Sequence, residues 1–182
     1  MPSTAASSAI HVAVGLLLDR GQVFITRRHL DRHQGGKWEF PGGKCDAGEA
    51  VLAALSRELH EELGIEVRDA YPWMQVRHAY PDRDVLLDVW RITAWDGTPH
   101  GREGQEARWA SVRELPMLDF PEADLPILRR LWLPPLYLIS DVARLGQPRF
   151  LNLIERALKA GARLVQLREP GMPEAAYRKL AR

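Results

Sequence analysis

The sequence predicts an α/β protein in which a mixed sheet lies between helices, followed by the beginning of a second β/α unit. Runs of β-branched and other apolar residues occupy most of the first part of the chain, and one long amphipathic helix interrupts them. At residues 133–135 the sequence Leu-Pro-Pro breaks this pattern, and the order then becomes strand, helix, strand, helix. A chain of 182 residues therefore predicts one complete domain and one fragment.

The complete domain is predicted over residues 9–133, after a flexible tail at residues 1–8. Its first two strands, at 11–18 and 22–26, flank Asp19-Arg20-Gly21, which predicts a hairpin turn. Pro41-Gly42-Gly43 bends the backbone tightly, because glycine permits positive φ and a close approach to a ligand. The other predicted elements are strands at 38–40, 66–80, 85–94 and 107–111, and helices at 49–63 and 124–132.

Composition and charge exclude several classes of protein. Hydrophobic residues make up 46% of the chain and charged residues 27%, which is ordinary for a soluble globular protein. The net charge of +1 argues against binding to nucleic acid or to a membrane surface. Cys45 is the single cysteine, which excludes an internal disulfide and suits a reducing cytoplasm. Neither a signal peptide nor an apolar run of about 20 residues is present, so we expect a soluble, cytoplasmic protein.

Three acids on the long helix are the first candidates for chemistry. Glu58, Glu61 and Glu62 stand at positions i, i+3 and i+4, so successive turns direct them into one sector. Like charges at this spacing destabilise an isolated helix by a few tenths of a kcal/mol per pair. A hard divalent cation held by carboxylate oxygens would offset that cost.

The alternative interpretation is a solvated acidic helix face that ends at Gly64 as a C-cap. Such a face would centre its acids opposite the apolar stripe. Glu58 and Glu62 instead fall beside the stripe, where the wall of a cleft would be. The stripe itself is predicted to comprise Leu52, Leu55, Leu59 and Leu63.

The three helix acids also belong to a longer pattern, the Nudix box, and this chain fills every fixed position of it. These positions are Gly43, Glu49, Arg57, Glu58, Glu61, Glu62 and Gly64, at the spacing that the family requires. The flanking segments resemble the MutT subgroup of that family, the 8-oxo-dGTP diphosphatases, over roughly residues 10–132. The matching segments include Val23-Phe24-Ile25-Thr26-Arg27-Arg28, Glu39-Phe40-Pro41-Gly42-Gly43-Lys44, Tyr80-Pro81-Asp82-Arg83, Gly101-Arg102-Glu103-Gly104-Gln105 and Asp119-Phe120-Pro121.

The resemblance implies an α/β/α Nudix sandwich and hydrolysis of a nucleoside triphosphate to a monophosphate and pyrophosphate. The implied cofactor is Mg²⁺, with Mn²⁺ as the alternative. Glu58 and Glu62 are then the first choice as metal ligands, with Glu61 and the Gly43 carbonyl completing the shell. Glu103 would bind metal or act as general base. Arg57 would hold the carboxylates in register by a forked hydrogen bond, and Lys44 would contact phosphate.

Recognition of the base is assigned by the same resemblance. Arg28, Phe40, Tyr80 and Arg83 match positions that line the nucleotide pocket, and Tyr80 stands where the subgroup more usually has Phe. Asp124 departs further, because the family has Asn at this position to contact the purine edge. Asn offers a donor and an acceptor, whereas ionised Asp only accepts, so Asp124 would need to hold a proton.

The segment after residue 133 resembles the start of thiamine phosphate synthase, a β/α barrel. The resemblance rests on the six residues from Leu136 to Asp141 and on Val165-Gln166-Leu167-Arg168-Glu169, although Pro170 departs from the family's Arg-Glu-Lys. Strands are predicted at 136–139 and 164–167, and helices at 150–160 and 174–182. A barrel needs eight strands and about 250 residues, so residues 134–182 are predicted to be a fragment of a longer fusion protein whose barrel domain is missing here.

Three alternatives stay open at this point. The first is another Nudix substrate, such as a dinucleotide or a nucleotide sugar. The second is a nucleotide-binding module that regulates the barrel without hydrolysis, and the third is thiamine phosphate synthase activity. The histidines between His29 and His100 do not have metal-ligand spacing with cysteine, and we expect them on the surface or in loops. No serine lies in a nucleophile-elbow motif, so covalent catalysis is unsupported.

Overall fold

The computed structural model describes residues 9–134 and 136–182, so the tail predicted at residues 1–8 lies outside the described residues. The chain forms two compact units, and the division between them falls between Arg130 and Leu131. That position is three residues before the predicted boundary at residue 133. No helix in the described part of the chain is long and apolar enough to cross a bilayer.

The first unit contains seven strands, β1 to β7, and the long helix α1. The strands and α1 are β1 Ile10–Asp19, β2 Gln22–Arg27, β3 Trp38–Glu39, β4 Gly42–Lys44, α1 Val51–Leu63, β5 Glu66–Ala79, β6 Asp84–Asp96 and β7 Ala107–Ser111. Two 3₁₀ turns follow at Leu115–Met117 and Glu122–Asp124, and α2 spans Leu125–Trp132.

The seven strands form one mixed sheet, as the sequence predicts. The order along the sheet is β3-β2-β1-β6-β5, with β4 paired to β1 and β7 paired to β2. β1 and β6 run parallel over eight paired residues, from Ile10 opposite Val85 to Leu17 opposite Ile92. The other pairings are antiparallel. The prediction of a mixed α/β fold is confirmed.

The core of the first unit lies between α1 and the sheet. Leu55, Leu59 and Leu63 are fully buried on one helix face and pack with Leu17 and Ile92 from the strands. Burial of each such side chain contributes about 1.5–3 kcal/mol to stability. The apolar face of α1 therefore fixes the rotation of the helix, and with it the direction of the acids that border this face.

Two details of the predicted helix are wrong. α1 begins at Val51, two residues after the predicted start, and Leu52 is 40% exposed although its periodicity placed it in the buried stripe. Ala54 is buried in the same core. Periodicity gives the angular position of a side chain but does not say which turns of the helix lie against the sheet, and Leu52 belongs to the first turn.

The second unit contains two strands and three helices, and its helices precede and follow the second strand along the chain. It contains β8 Tyr137–Ile139, α3 Val142–Leu145, α4 Gln147–Lys159, β9 Leu164–Gln166 and α5 Glu174–Leu180. β8 and β9 run parallel, as expected for a β/α unit. The sequence did not predict α3, whose start is capped by Asp141: its carboxylate accepts a hydrogen bond from the Arg144 backbone N–H at 3.3 Å.

Candidate active site

A cleft of about 440 Å³ opens on the first unit. One part of its lining, the acidic side, comprises Gly43, Lys44, Glu58, Glu61, Glu62 and Glu103. A second part, the aromatic side, comprises Arg28, Glu39, Phe40, Tyr80 and Asp124. The cleft therefore brings together residues from α1, from four strands or their ends, and from two loops.

Glycines at the acidic side let the backbone approach the helix acids closely. Gly42 has φ of 144°, and a Cβ there would collide with the carbonyl oxygen of Ala13. A Cβ on Gly43 would collide with the carboxyl group of Glu58. The Gly42 N–H donates a hydrogen bond to Glu62 at 3.1 Å. Both helix acids are thus held directly beneath the glycine turn.

A loop secured to the end of α1 places Glu103 beside these acids. The Arg102 N–H donates to the Glu62 backbone carbonyl at 2.9 Å, and the Gln105 side chain donates to the same carbonyl at 3.2 Å. Arg102 also donates from its guanidinium to the His60 carbonyl at 3.0 Å. The last carbonyls of a helix lack partners within the helix, and this loop supplies donors to those of Glu62 and Leu63. The position of Glu103 in the cleft therefore follows from the anchoring of its loop to the helix end.

Arg57 lies behind the acidic side and does not line the cleft. Its guanidinium donates to both carboxylate oxygens of Glu49, at 3.2 and 2.9 Å, and to Glu58 at 2.7 Å. It also donates to the Lys44 carbonyl at 3.2 Å. The hydrogen bonds from Arg57, and then the one from the Asp46 backbone N–H, lower the pKa of Glu49 below its usual range. Arg57 thus joins the first turn before the helix, the helix and the glycine turn in one network.

Glu62 is the most perturbed acid of this side. Burial, and then the charge of Glu39, raise the pKa of Glu62 to about 8. The charges of Glu58 and Glu103 contribute to this raised pKa, and the hydrogen bond from the Gly42 N–H partly offsets it. A cation would relieve this repulsion, and the available donors are carboxylate oxygens, which hard divalent ions prefer. The residues therefore fit such an ion chemically, although within the described ranges no three acidic, histidine or cysteine side chains converge into a ready-made metal centre.

The aromatic side is built around Arg28 and Phe40. Arg28 forms an ion pair with Glu39 and donates a hydrogen bond to the His33 carbonyl at 2.9 Å. Phe40 is only 3% exposed and packs against Phe120 with ring centroids 5.4 Å apart. Phe40 is thus both a core aromatic and part of the cleft lining.

Two acids with raised pKa values face the same side, the half-buried Glu39 and the buried Asp124. Burial raises the pKa of Glu39 to about 7, although the charge of Arg28 lowers it. Asp124 is 6% exposed, and burial followed by the charge of Glu39 raises its pKa to about 8. At neutral pH the Asp124 carboxyl therefore holds a proton and can both donate and accept a hydrogen bond.

The structure brings most of the predicted residues together in the cleft, but Arg57 and Arg83 do not line it. Arg83 does not line the cleft, because its guanidinium pairs with the neighbouring Asp82 at 2.6 Å. Glu39 was not among the predicted site residues, although it lies in the cleft beside Arg28. Its place next to Phe40 in the Glu-Phe-Pro-Gly-Gly segment was the available signal.

The expectation for the histidines is wrong for His78. This residue lies in β5, and its Nε2 is buried without a hydrogen-bond partner. His33 lies in a loop, as expected, but it also lines the cleft. Both rings pack against Tyr80. The contact with His33 joins two different segments, which sequence spacing alone does not show.

Known proteins share this domain. The family model of the NUDIX domain matches residues 13–130. An 8-oxo-dGTP diphosphatase of Escherichia coli is 39% identical over 67% of this chain and 95% of its own length. A CTP pyrophosphohydrolase of the same organism is 32% identical over 65% of this chain and 88% of its own length.

A solved MutT structure, from a study of Aliivibrio salmonicida and Vibrio cholerae, has the same architecture. It is 36% identical, covers 69% of this chain and 97% of its own, and superposes with a TM-score of 0.58. Nudix hydrolases generally use divalent metal ions. The chain therefore belongs to the Nudix family and is a Nudix pyrophosphatase similar to the MutT-type 8-oxo-dGTP diphosphatases.

Proposed function

We propose that this protein hydrolyses oxidised purine nucleoside triphosphates, such as 8-oxo-dGTP, to the monophosphate and pyrophosphate in a Mg²⁺-dependent reaction. The observation that carries the proposal is the shared cleft. Four carboxylates of the acidic side lie in the same cavity as two aromatic rings and the buried Asp124, whose pKa is raised to about 8 by burial. The carboxylates suit the binding of a metal ion and a triphosphate chain. The two rings and Asp124 suit the binding of a purine base. The cellular role is the removal of damaged nucleotides from the precursor pool.

In the proposed reaction, water attacks the phosphorus of the pyrophosphate group that is joined to the monophosphate, and the bond between the two groups breaks. Mg²⁺, when bound, neutralises phosphate charge and lowers the pKa of water. Glu58 and Glu62 hold the ion, with Glu61 and the Gly43 carbonyl as further ligands. Glu103 binds the ion or accepts the proton of the attacking water. Lys44, which lines the cleft and is exposed, contacts phosphate.

The base occupies the aromatic side in this proposal. Phe40 and Tyr80 provide ring surfaces for stacking, and Arg28 supplies a fixed cation. A protonated Asp124 presents one donor and one acceptor, the pair that an amide side chain would present to a purine edge. This accounts for an Asp at a position where the resembled subgroup has Asn. Arg83 would reach the base only if its pairing with Asp82 opened, since it does not line the cleft.

A second candidate substrate is a pyrimidine triphosphate. The 32% identity to a CTP pyrophosphohydrolase favours it, because that relative matches 65% of the chain, close to the 67% matched by the 8-oxo-dGTP diphosphatase. The two candidates differ at the aromatic side alone, since both reactions use the same acids. Substrate preference therefore tests the base assignment separately from the reaction.

The test is a panel of nucleoside triphosphates, including 8-oxo-dGTP, dGTP and CTP, incubated with Mg²⁺ and separated by chromatography. We expect 8-oxo-dGTP to have the largest kcat/KM and to give monophosphate and pyrophosphate. Excess chelator should abolish turnover, and ¹⁸O from labelled water should appear in the pyrophosphate. Orthophosphate and a nucleoside diphosphate as first products would contradict the proposed reaction. A larger kcat/KM for CTP would instead support the second candidate substrate.

For the second unit we propose the start of a thiamine phosphate synthase-like β/α barrel. The parallel pairing of β8 and β9 across helix α4 supports this proposal. Several of its apolar side chains are left exposed, among them Tyr137 at 50% and Ile139 at 54%. Further strands of a barrel would cover such side chains.

A further inference from the structure

Tyr80 joins the end of β5 to the turn that carries Asp124. Its ring packs between His33 and His78, with centroid distances of 4.8 and 4.4 Å and interplanar angles of 76° and 68°. Its hydroxyl oxygen accepts a hydrogen bond from the Ala123 backbone N–H at 3.2 Å. Tyr80 therefore makes two kinds of contact, ring packing and a directional hydrogen bond.

The hydrogen bond meets a need of the Glu122–Asp124 turn. The first N–H groups of a helical turn have no acceptor within the turn, and no side chain caps this one locally. The Ala123 N–H would be left without a partner in a segment where Ala123 itself is 3% exposed. A buried unsatisfied N–H is costly, so the hydroxyl stabilises the turn in the conformation that presents Asp124, the next residue.

A second contact between the same elements is less directional. His78 Nε2 lies 3.4 Å from a carboxylate oxygen of Glu122 but lacks hydrogen-bonding geometry. The Tyr80 hydroxyl therefore supplies the oriented contact between β5 and this turn. Both Tyr80 and Asp124 line the cleft, so a shift of the turn would change the cleft wall.

We propose that the Tyr80 hydroxyl is a positioning group that selects the base by holding Asp124 in place. This rests on the proposed function, and it goes beyond stacking, which a phenylalanine ring would provide equally well. Loss of the hydroxyl frees the Ala123 N–H and lets the turn relax. Asp124 would then meet the base edge in a wider range of orientations, and discrimination between bases would fall.

The first measurement compares Tyr80→Phe with Tyr71→Phe, a control on the same strand whose side chain is 42% exposed and outside the cleft. For each protein, kcat and KM are determined for 8-oxo-dGTP and dGTP with Mg²⁺. We expect Tyr80→Phe to reduce the ratio of the two kcat/KM values roughly 3- to 10-fold, the effect of one hydrogen bond. The change should lie mainly in KM for 8-oxo-dGTP, with kcat kept, and Tyr71→Phe should match the wild type.

A double-mutant cycle with Asp124→Asn tests whether the hydroxyl acts through Asp124. If it does, Tyr80→Phe should change the discrimination ratio differently in the Asp124→Asn background from its effect in the wild type. Equal effects in both backgrounds would overturn the positioning role, as would a Tyr80→Phe variant that behaves like Tyr71→Phe. A wild-type protein that hydrolyses none of the triphosphates would instead overturn the proposed function itself.

Discussion

The two sides of the cleft are built in different ways. On the acidic side, Glu58, Glu61 and Glu62 come from a single helix, and the glycine turn and the Glu103 loop are hydrogen-bonded to that helix. On the aromatic side, Arg28, Phe40, Tyr80 and Asp124 come from four separate segments. The helix acids of the acidic side are thus placed by local spacing, whereas the aromatic side depends on the packing of distant segments.

Because of this difference, we assign the hydrolysis step to the acidic side and the selection of the base to the aromatic side. Metal and phosphate chemistry depends on charges whose order one helix maintains, and it is common to many substrates. Base selection depends on whether separate segments keep their relative positions. We therefore expect substitutions on the acidic side to lower turnover for every nucleotide, and those on the aromatic side to change which nucleotide is preferred.

The largest effect is expected from Glu58→Gln on the acidic side. This change keeps the size of the side chain but removes a charge that a divalent ion would contact, so kcat should fall roughly 10²-fold or more, about 2.7 kcal/mol of transition-state stabilisation. KM should change little, and the loss should be equal for all nucleotides. Steady-state kinetics on the nucleotide panel measures this.

The matched control is Glu66→Gln, an exposed acid just beyond the helix that does not line the cleft. It should keep wild-type kcat. Near-normal turnover in Glu58→Gln would show that Glu58 is not needed for the reaction. It would also contradict the assignment of turnover to the acidic side.

A smaller loss, roughly tenfold or more in kcat, is expected from Gly43→Ala. The added Cβ would collide with the Glu58 carboxyl, which must then move away from its position beneath the turn. Because Gly43 has no positive φ, the effect is steric and not conformational. Ala47→Gly, in the exposed loop that follows β4, serves as a control for general loop flexibility. Equal kcat for Gly43→Ala and wild type would show that the close approach is not needed for turnover.

On the aromatic side, Asp124→Asn should change the pH dependence of stability. The native carboxyl keeps its proton up to a pKa of about 8, whereas the ordinary value is 3.8, so unfolding releases a proton between these values. The stabilising contribution is therefore complete below pH 3.8 and is lost as pH rises through about 8. Asn cannot ionise, so the variant should lose less stability between pH 6 and pH 9 than the wild type does.

Thermal unfolding of the metal-free proteins across this pH range checks the prediction. Asp119→Asn, whose side chain is 77% exposed, is the control and should follow the wild-type curve. The same pair of variants tests selection, since base discrimination by the wild type should decline above pH 8 while that of Asp124→Asn stays flat. Parallel curves for wild type and Asp124→Asn would show that Asp124 does not hold its proton at neutral pH.

The smallest effect is expected from removing the second unit. All residues that line the cleft precede Leu125, so a chain ending at Leu133 should keep its kcat/KM within about twofold, a difference of less than about 0.5 kcal/mol. It should also gain solubility, because exposed apolar side chains such as Tyr137 and Ile139 are removed. Kinetics and elution volume of the two proteins, measured side by side, give the comparison. Loss of activity would mean that the first domain needs residues beyond 133.

Sequence patterns predicted the elements of the first unit closely, because hydrophobic periodicity follows directly from the geometry of helices and strands. The predicted strands at 22–26 and 107–111 agree with β2 and β7 to within one residue. Short elements were harder to predict, since β4 has three residues and α3 has four. Elements of this length contain too few residues to show a period, and partners elsewhere in the chain stabilise them.

The sequence by itself determined the grouping of the helix acids, because i, i+3 and i+4 spacing places Glu58, Glu61 and Glu62 in one sector of any α-helix. It also indicated the family through the complete Nudix box. Only the tertiary structure decided that Arg83 pairs with Asp82 outside the cleft, and that the Tyr80 hydroxyl meets the Ala123 N–H.

The raised pKa values of Glu39 and Asp124 likewise depend on burial by segments far away in the sequence. Desolvation and contacts between distant segments arise only when the chain packs, and residue spacing contains no measure of either. Base selection is therefore a property of the folded domain, whereas the positions of the helix acids follow from their spacing along the chain.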